Sequence, residues 1–143
     1  MRRRTVRLGR GHLGPHTPTQ ADFAAQARFR HRLRRFLHFS EHLARRHGVT
    51  PAQHQLLLAV RGSRAGWLGI GAIATQLLIR HHSAVGLVDR AVRDGLVHKI
   101  VDQSDQRRVQ VHLTARGRRL ILLLTAAHRR RLARLWLRVP HPR

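Results

Sequence analysis

Apolar positions follow helical stripes over most of the chain and switch to a two-residue alternation in one short region. Phe29, Leu33, Phe36, Leu37, Ser40 and Leu43 fall at i, i+4, i+7, i+8, i+11 and i+14, which predicts a helix over 23–48 stopped by Gly48. Thr50-Pro51 reads as the N-cap and first residue of a second helix, which carries Leu56, Leu57, Ala59 and Val60 and ends near Gly62. The stretch GSRAGWLG after it offers one short strand at Trp67-Leu68. A third, short helix starts at Ile70 with IGAIATQLL. A fourth is predicted over RHHSAVGLVDRAVRDG, with Val85, Val88 and Val92 on its inner side and Gly95 as its stop.

The period then changes. LVHKIVD (96–102) and VQVHLT (109–114) are β-branched and partly alternating, so they read as two strands around the polar turn QSDQRR. Thr114 is placed to cap a long last helix that reaches about Val139, just before Pro140. Leu120, Leu123, Leu124, Ala127 and Leu135 are its expected buried stripe. Residues 1–22 hold Gly, Pro and Arg without periodicity and are expected to form a disordered basic arm, with 140–143 as a tail.

Charge changes this picture more than length does. The 143 residues include 28 Arg and one Lys against five Asp and one Glu, for a formal net charge of +23. Such an excess seeks a polyanion, whether nucleic acid, an anionic membrane face or an acidic protein. Guanidinium pairs with phosphate and base edges in bidentate fashion, which favours nucleic acid. The chain has no cysteine, so disulfides, thiolate metal sites and thiol redox sensing are excluded. The longest apolar run, LILLL at 120–124, is core-sized and far from the ~20 residues of a spanning helix. The Arg-rich start lacks the apolar segment of a signal peptide, and the expectation is a cytoplasmic protein with no membrane partner.

A short helix, a tight turn, a second helix and a two-stranded hairpin with a basic tip make a winged helix-turn-helix. The second helix of such a pair fits the DNA major groove, and its N-terminus favours phosphate. The hairpin can carry arginine into the minor groove, where narrowing strengthens the negative potential. The segments TPAQHQLLLAV (50–60), IGAIATQLLIRHHSAVGLVDR (70–90), DGLV (94–97) and DQSDQRRVQVHLTARG (102–117) together resemble the MarR family of transcriptional regulators. The last is similar to that family's wing signature, Asp-x-x-Asp-x-Arg-Arg followed by Leu-Thr and Gly. The resemblance spans roughly 23–139, and the joint spacing of the pieces makes it specific.

The resemblance implies a mainly α fold with a small β-hairpin wing and long N- and C-terminal dimerisation helices. The DNA-binding winged helix would occupy 50–114, and the dimerisation helices 23–48 and 115–139. It implies a homodimer on double-stranded DNA, reading a pseudo-palindromic operator, and for many members release by a small aromatic acid. Arg80, His81, His82 and Ser83 match the start of the recognition helix, and Arg90 lies further along it, in reach of phosphate. Arg107 and Arg108 match the wing arginines, and Asp105 matches the wing Asp that pairs with a nearby Arg. Gly86 stands where many members carry a longer polar residue, and Gln106 where Arg is frequent.

Other readings of the same residues stay open. A lesser reading of His81 and His82 is as solvent-facing residues without a DNA role, and adjacent positions diverge by about 100° on a helix, which disfavours one shared metal. His38 and His42 are four apart beside Glu41 and have zinc-ligand spacing, but thirteen scattered histidines produce such pairs by chance. No metal or cofactor is expected. Asp89 and Arg90 read as a structural ion pair. Acidic residues are too few for paired-carboxylate catalysis, and Ser83 has no nucleophile-elbow context. The expected function is a sequence-specific regulator, a repressor released by an effector, and not an enzyme; the alternative is an architectural protein that binds DNA by charge alone. The last helix carries Arg116, Arg118, Arg119, Arg129, Arg130, Arg131, Arg134 and Arg138 with no acid among them. Like charges at i, i+4 cost a few tenths of a kcal/mol per pair, whereas each buried Leu contributes about 1.5–3 kcal/mol. Burial against a partner therefore decides the balance, and a dimer supplies that partner.

Overall fold

A computed structural model describes residues 17–105 and 108–136. Five helices and three strands follow in the order α1 (Gln20–Arg46), α2 (Pro51–Gly62), β1 (Trp67–Gly69), α3 (Ile70–Leu77), α4 (His81–Arg93), β2 (Val97–Val101), β3 (Val109–Leu113) and α5 (Ala115–Trp136). The chain divides into two compact units, 1–34 and 35–143. In the first, Phe23, Phe29 and Leu33 of α1 are exposed.

Local chemistry sets the element ends. Thr19 starts α1 through a reciprocal pair, its amide donating to Asp22 Oδ2 at 2.8 Å and its hydroxyl accepting from the Asp22 amide at 3.3 Å. This helix begins earlier than the sequence pattern predicts, and it takes in the last residues of the expected disordered arm; residues 1–16 of that arm lie outside the described residues. The periodicity there is hidden because the first turn is polar. Gly48 adopts φ 78° and lets Val49 N–H bond Ala44 O at 3.1 Å, the left-handed stop expected of it.

Thr50 forms a capping box with Gln53, whose amide N–H donates to Thr50 Oγ1 (3.1 Å) while Gln53 Oε1 accepts from the Thr50 amide (3.0 Å). Gln53 Nε2 continues to Asp94 Oδ2 at 2.6 Å and ties α2 to the end of α4. Thr50→Ala is expected to cost about 1 kcal/mol of stability, read as a lower urea midpoint at unchanged m-value; an unaltered midpoint contradicts the box.

The second unit has one apolar core. Leu56, Leu57 and Val60 of α2 meet Ile73 of α3, Leu87 and Val88 of α4, Leu96, Val97 and Val111 around the sheet, and Ile121 and Leu124 of α5. Its hairpin is larger than the sequence pattern alone demands. The strand at Trp67 joins it, giving an antiparallel sheet in the order β1-β3-β2 with Trp67 opposite His112 and His98 opposite His112 on the other side.

Three expectations about packing are corrected. In α4 the buried positions are Ala84, Leu87, Val88 and Ala91, whereas Val85 and Val92 are exposed. The spacing i, i+3, i+4, i+7 defines the inner face, and Val85 and Val92 lie one step around from it. In α5, Ile121, Leu124 and His128 are buried while Leu123 is exposed beside Leu122; the side chain of Leu135 lies outside the described residues. Asp89 does not pair with its neighbour Arg90. It is bonded by Lys99 of β2, which also holds the Asp89 carboxyl below its ordinary range. Adjacent helical residues point about 100° apart, so the strand supplies the better-placed cation.

Candidate nucleic-acid interface

The turn between α3 and α4 is the first element of the site. Leu78 takes the left-handed conformation (φ 55°, ψ 42°), and Ile79 N–H returns to Ala74 O at 3.0 Å. Without a glycine the sequence carries no sign of this conformation, which makes Leu78 a missed feature; it is almost fully exposed. The turn sends α4 off in a new direction with Arg80 at its N-cap.

No side chain caps α4, and its first turn contains no acid. The early amide N–H groups of α4 therefore lack the side-chain oxygen that Thr50 supplies to α2, and they favour an anion. Arg80, His81, His82 and Ser83 are all exposed around this end. Further along, Arg90 is exposed and turns back over Gly86. A Cβ on Gly86 would lie 3.3 Å from the Arg90 Nη1 atom. The glycine that removes a side chain from this face thus makes room for a guanidinium one turn away.

The wing is the second element. Its strands are joined by a tip in which Asp102 N–H donates to Arg108 O at 2.9 Å and Arg108 N–H to Asp105 O at 2.8 Å. Asp102 Oδ1 accepts from the Ser104 hydroxyl (2.6 Å) and amide (2.8 Å), and these bonds hold its carboxyl below the ordinary range. Arg108 Nε stands 3.7 Å from Asp105 Oδ2, the pairing expected for the wing Asp. Arg107 and Gln106 lie outside the described residues. Lys99, bound to Asp89, links the wing to the outer side of α4 and so fixes the two elements relative to each other.

Among the described residues no group of three or more His, Asp or Glu is placed to hold a metal ion. Glu41, beside the spaced histidines of α1, instead faces Arg45 at 3.7 Å. No described helix is long and apolar enough to cross a membrane.

A short helix, a three-residue turn, an exposed second helix and a β-wing define a winged helix-turn-helix protein. Residues 47–108, which hold the helix pair and the first wing strand, match the MarR family. Among solved structures, the chain resembles AbsC, a MarR family transcriptional regulator from Streptomyces coelicolor, at a TM-score of 0.73 and 19% identity over 87% of this chain and 86% of that one. It resembles the transcriptional regulator PA4135 at a TM-score of 0.65 and 27% identity over 87% and 86% of the two chains. A point mutant of S. aureus MepR bound to an oligodeoxyribonucleotide matches at a TM-score of 0.65 and 20% identity over 82% and 85%. No curated protein sequence matches the chain. This match and these likenesses give the described residues the winged helix-turn-helix fold seen in MarR-family structures.

Proposed function

We propose that the protein is a homodimeric, sequence-specific repressor that reads a pseudo-palindromic DNA operator in the cytoplasm and leaves it on binding a small-molecule effector. The observation that carries this reading is the uncapped N-terminus of α4, ringed by Arg80, His81, His82 and Ser83 and tied through Lys99 to the Arg108-bearing wing. In this arrangement the front of α4 enters the major groove, with His82 and Ser83 at base edges. Arg80 and Arg90 contact phosphate, and Arg107 and Arg108 reach the adjacent minor groove.

The dimer rests on apolar surface. Leu37 on α1 and Leu122 and Leu123 on α5 are exposed in the single chain, as are Phe23, Phe29 and Leu33. A second copy that covers these positions offsets the repulsion among the arginines of α5. Sedimentation that gives a monomer at micromolar concentration contradicts this assignment. The effector class, a small aromatic carboxylate, follows from the family resemblance and suits a chain of charge +23. With no cysteine in the sequence, its release of DNA proceeds without thiol oxidation.

Selection of bound DNA from a random pool tests the core of the proposal. A palindromic winner is expected; absence of enrichment supports charge-driven architectural binding instead. On the winner, His82→Ala or Ser83→Ala should cost about 1–3 kcal/mol and relax choice at one position. Arg107→Ala or Arg108→Ala should weaken all sequences alike and lower the salt slope by about one. Wild-type affinity and preference in all four variants would remove α4 and the wing as the reading elements.

A further inference from the structure

On the far side of the wing sheet lies a cavity of about 260 Å³ lined by Arg61, Gly66, His98, His112, Leu113 and Arg118. Its place follows from strand alternation. Lys99 points to the α4 side of β2, where it bonds Asp89, so its neighbour His98 faces the opposite side. His98 and His112 pair across the strands with rings stacked at 5.5 Å and 16°. Trp67 flanks His112 from the third strand at 6.3 Å, so the histidine is held between two rings.

Two guanidiniums reach the lining from different elements. Arg61 comes from the end of α2 and Arg118 from the first turns of α5, and no acidic side chain is among the described lining residues. Arg118 is anchored, with one guanidinium nitrogen donating to Leu113 O at 2.8 Å, so its fork is fixed in direction with further N–H groups to offer. His112 Nε2 is held by Gln110 Oε1 at 3.0 Å. Two guanidiniums and the His98 ring, gathered without a carboxylate in the described lining, form a donor set suited to a compact multivalent anion, while His112, whose pKa is lowered by burial and by the nearby His98, backs it as a neutral ring. The volume is smaller than the roughly 300–1,000 Å³ of a drug-sized pocket, which limits the occupant to a small body.

We infer that this cavity is an anion site for the phosphate group of a small phosphorylated molecule, held by Arg61 and Arg118 against the His98–His112 pair. The site lies on the sheet face opposite α4. The phosphate group of bound DNA offers the same chemistry from a second source, and the experiment separates the two.

Inorganic phosphate is titrated into the full-length, DNA-free protein at constant ionic strength, with binding followed by calorimetry and by the ring signals of His98 and His112 in ¹H–¹⁵N spectra. Saturable binding that moves both ring signals is expected. The double variant Arg61→Gln/His98→Gln should weaken it roughly tenfold or more, while Arg64→Gln, an exposed arginine outside the lining, should leave it unchanged. Binding that never saturates, or that Arg64→Gln weakens equally, overturns the site as mere surface charge. The double variant is then titrated with duplex DNA. An unchanged salt slope supports the small-molecule source, and a lowered slope overturns it in favour of the DNA backbone. The phosphate titration contains no DNA, so failure of the operator assignment leaves its outcome readable.

Discussion

Gly117→Ala is expected to destabilise the protein by about 3 kcal/mol, the upper end of the range for forcing a methyl into a packed site. Helix propensity alone points the other way, since Ala is favoured over Gly inside a helix by about 1 kcal/mol. Sterics decide. A Cβ on Gly117 would stand 2.1 Å from the Leu96 carbonyl oxygen and 3.4 Å from Leu57 Cδ2. The obstacle is backbone that cannot swing aside. Leu96 O is held by the Thr114 amide at 3.1 Å, and the Thr114 hydroxyl reaches Gly95 O at 2.7 Å while accepting from the Gly117 amide at 3.0 Å. The start of α5 is therefore clamped onto the chain entering β2, and the clamp leaves no space for a side chain. Gly71 is the control. It lies in α3, and a methyl added there would meet nothing within 4 Å, so Gly71→Ala should gain up to about 1 kcal/mol. Urea unfolding followed by circular dichroism reads both; a Gly117→Ala midpoint at or above wild type refutes the close approach.

This glycine also shows how much is legible in the sequence. It closes the motif DQSDQRRVQVHLTARG, so its importance is visible as part of a resemblance, but the reason is not. The reason is a contact with Leu96, which lies far back along the chain. Elements governed by local chemistry are plain in the sequence: the Thr50 cap, the Gly48 stop and the alternation of the two wing strands each depend on residues within a few positions of each other. The inner face of α4 is misplaced by the pattern because β-branched residues single out Val85 and Val92, while the helix packs closely through the smaller Ala84 and Ala91. Small residues on a helix face carry little weight in a hydrophobic pattern, yet they are what lets two backbones approach.

The candidate site is legible where position in a motif determines exposure. Arg80, His81, His82 and Ser83 do gather at one end of α4, and Arg108 does face Asp105. Ion pairs between elements are not legible. Asp89 has an arginine beside it in sequence, and only the register of β2 against α4 reveals that Lys99 is its partner. Nor does sequence reveal that Arg90 folds over Gly86, a choice of side-chain rotamer within one turn of the helix.

The fold also carries an acid sensitivity that composition conceals. Among thirteen histidines, His54 and His128 are buried together, with rings stacked at 5.0 Å beneath Phe36 and Phe39. His128 Nδ1 is bonded to Leu124 O at 2.6 Å, and its Nε2 has no hydrogen-bond partner among the described residues. Burial, with the adjacent His128 adding to it, lowers the pKa of His54 from 6.5 to about 4. The unfolded chain then holds a proton that the folded chain refuses at any pH between those values. Stability from this residue is complete above about pH 6.5 and is lost as pH falls toward 4, with a total of roughly 2–3 kcal/mol. A charged group also borders the cluster: the Arg131 guanidinium lies 4.7 Å over the Phe39 ring. His54→Phe keeps an aromatic ring in the cluster and removes the titration. Urea unfolding of both proteins from about pH 7.5 down to about 4.5 should give curves that separate below about pH 6.5, the wild type losing up to about 2–3 kcal/mol more than the variant. Every histidine remote from this pair is common to both proteins and cancels in the difference. Parallel curves across the range would show that His54 is not the buried neutral group on which this acid sensitivity depends.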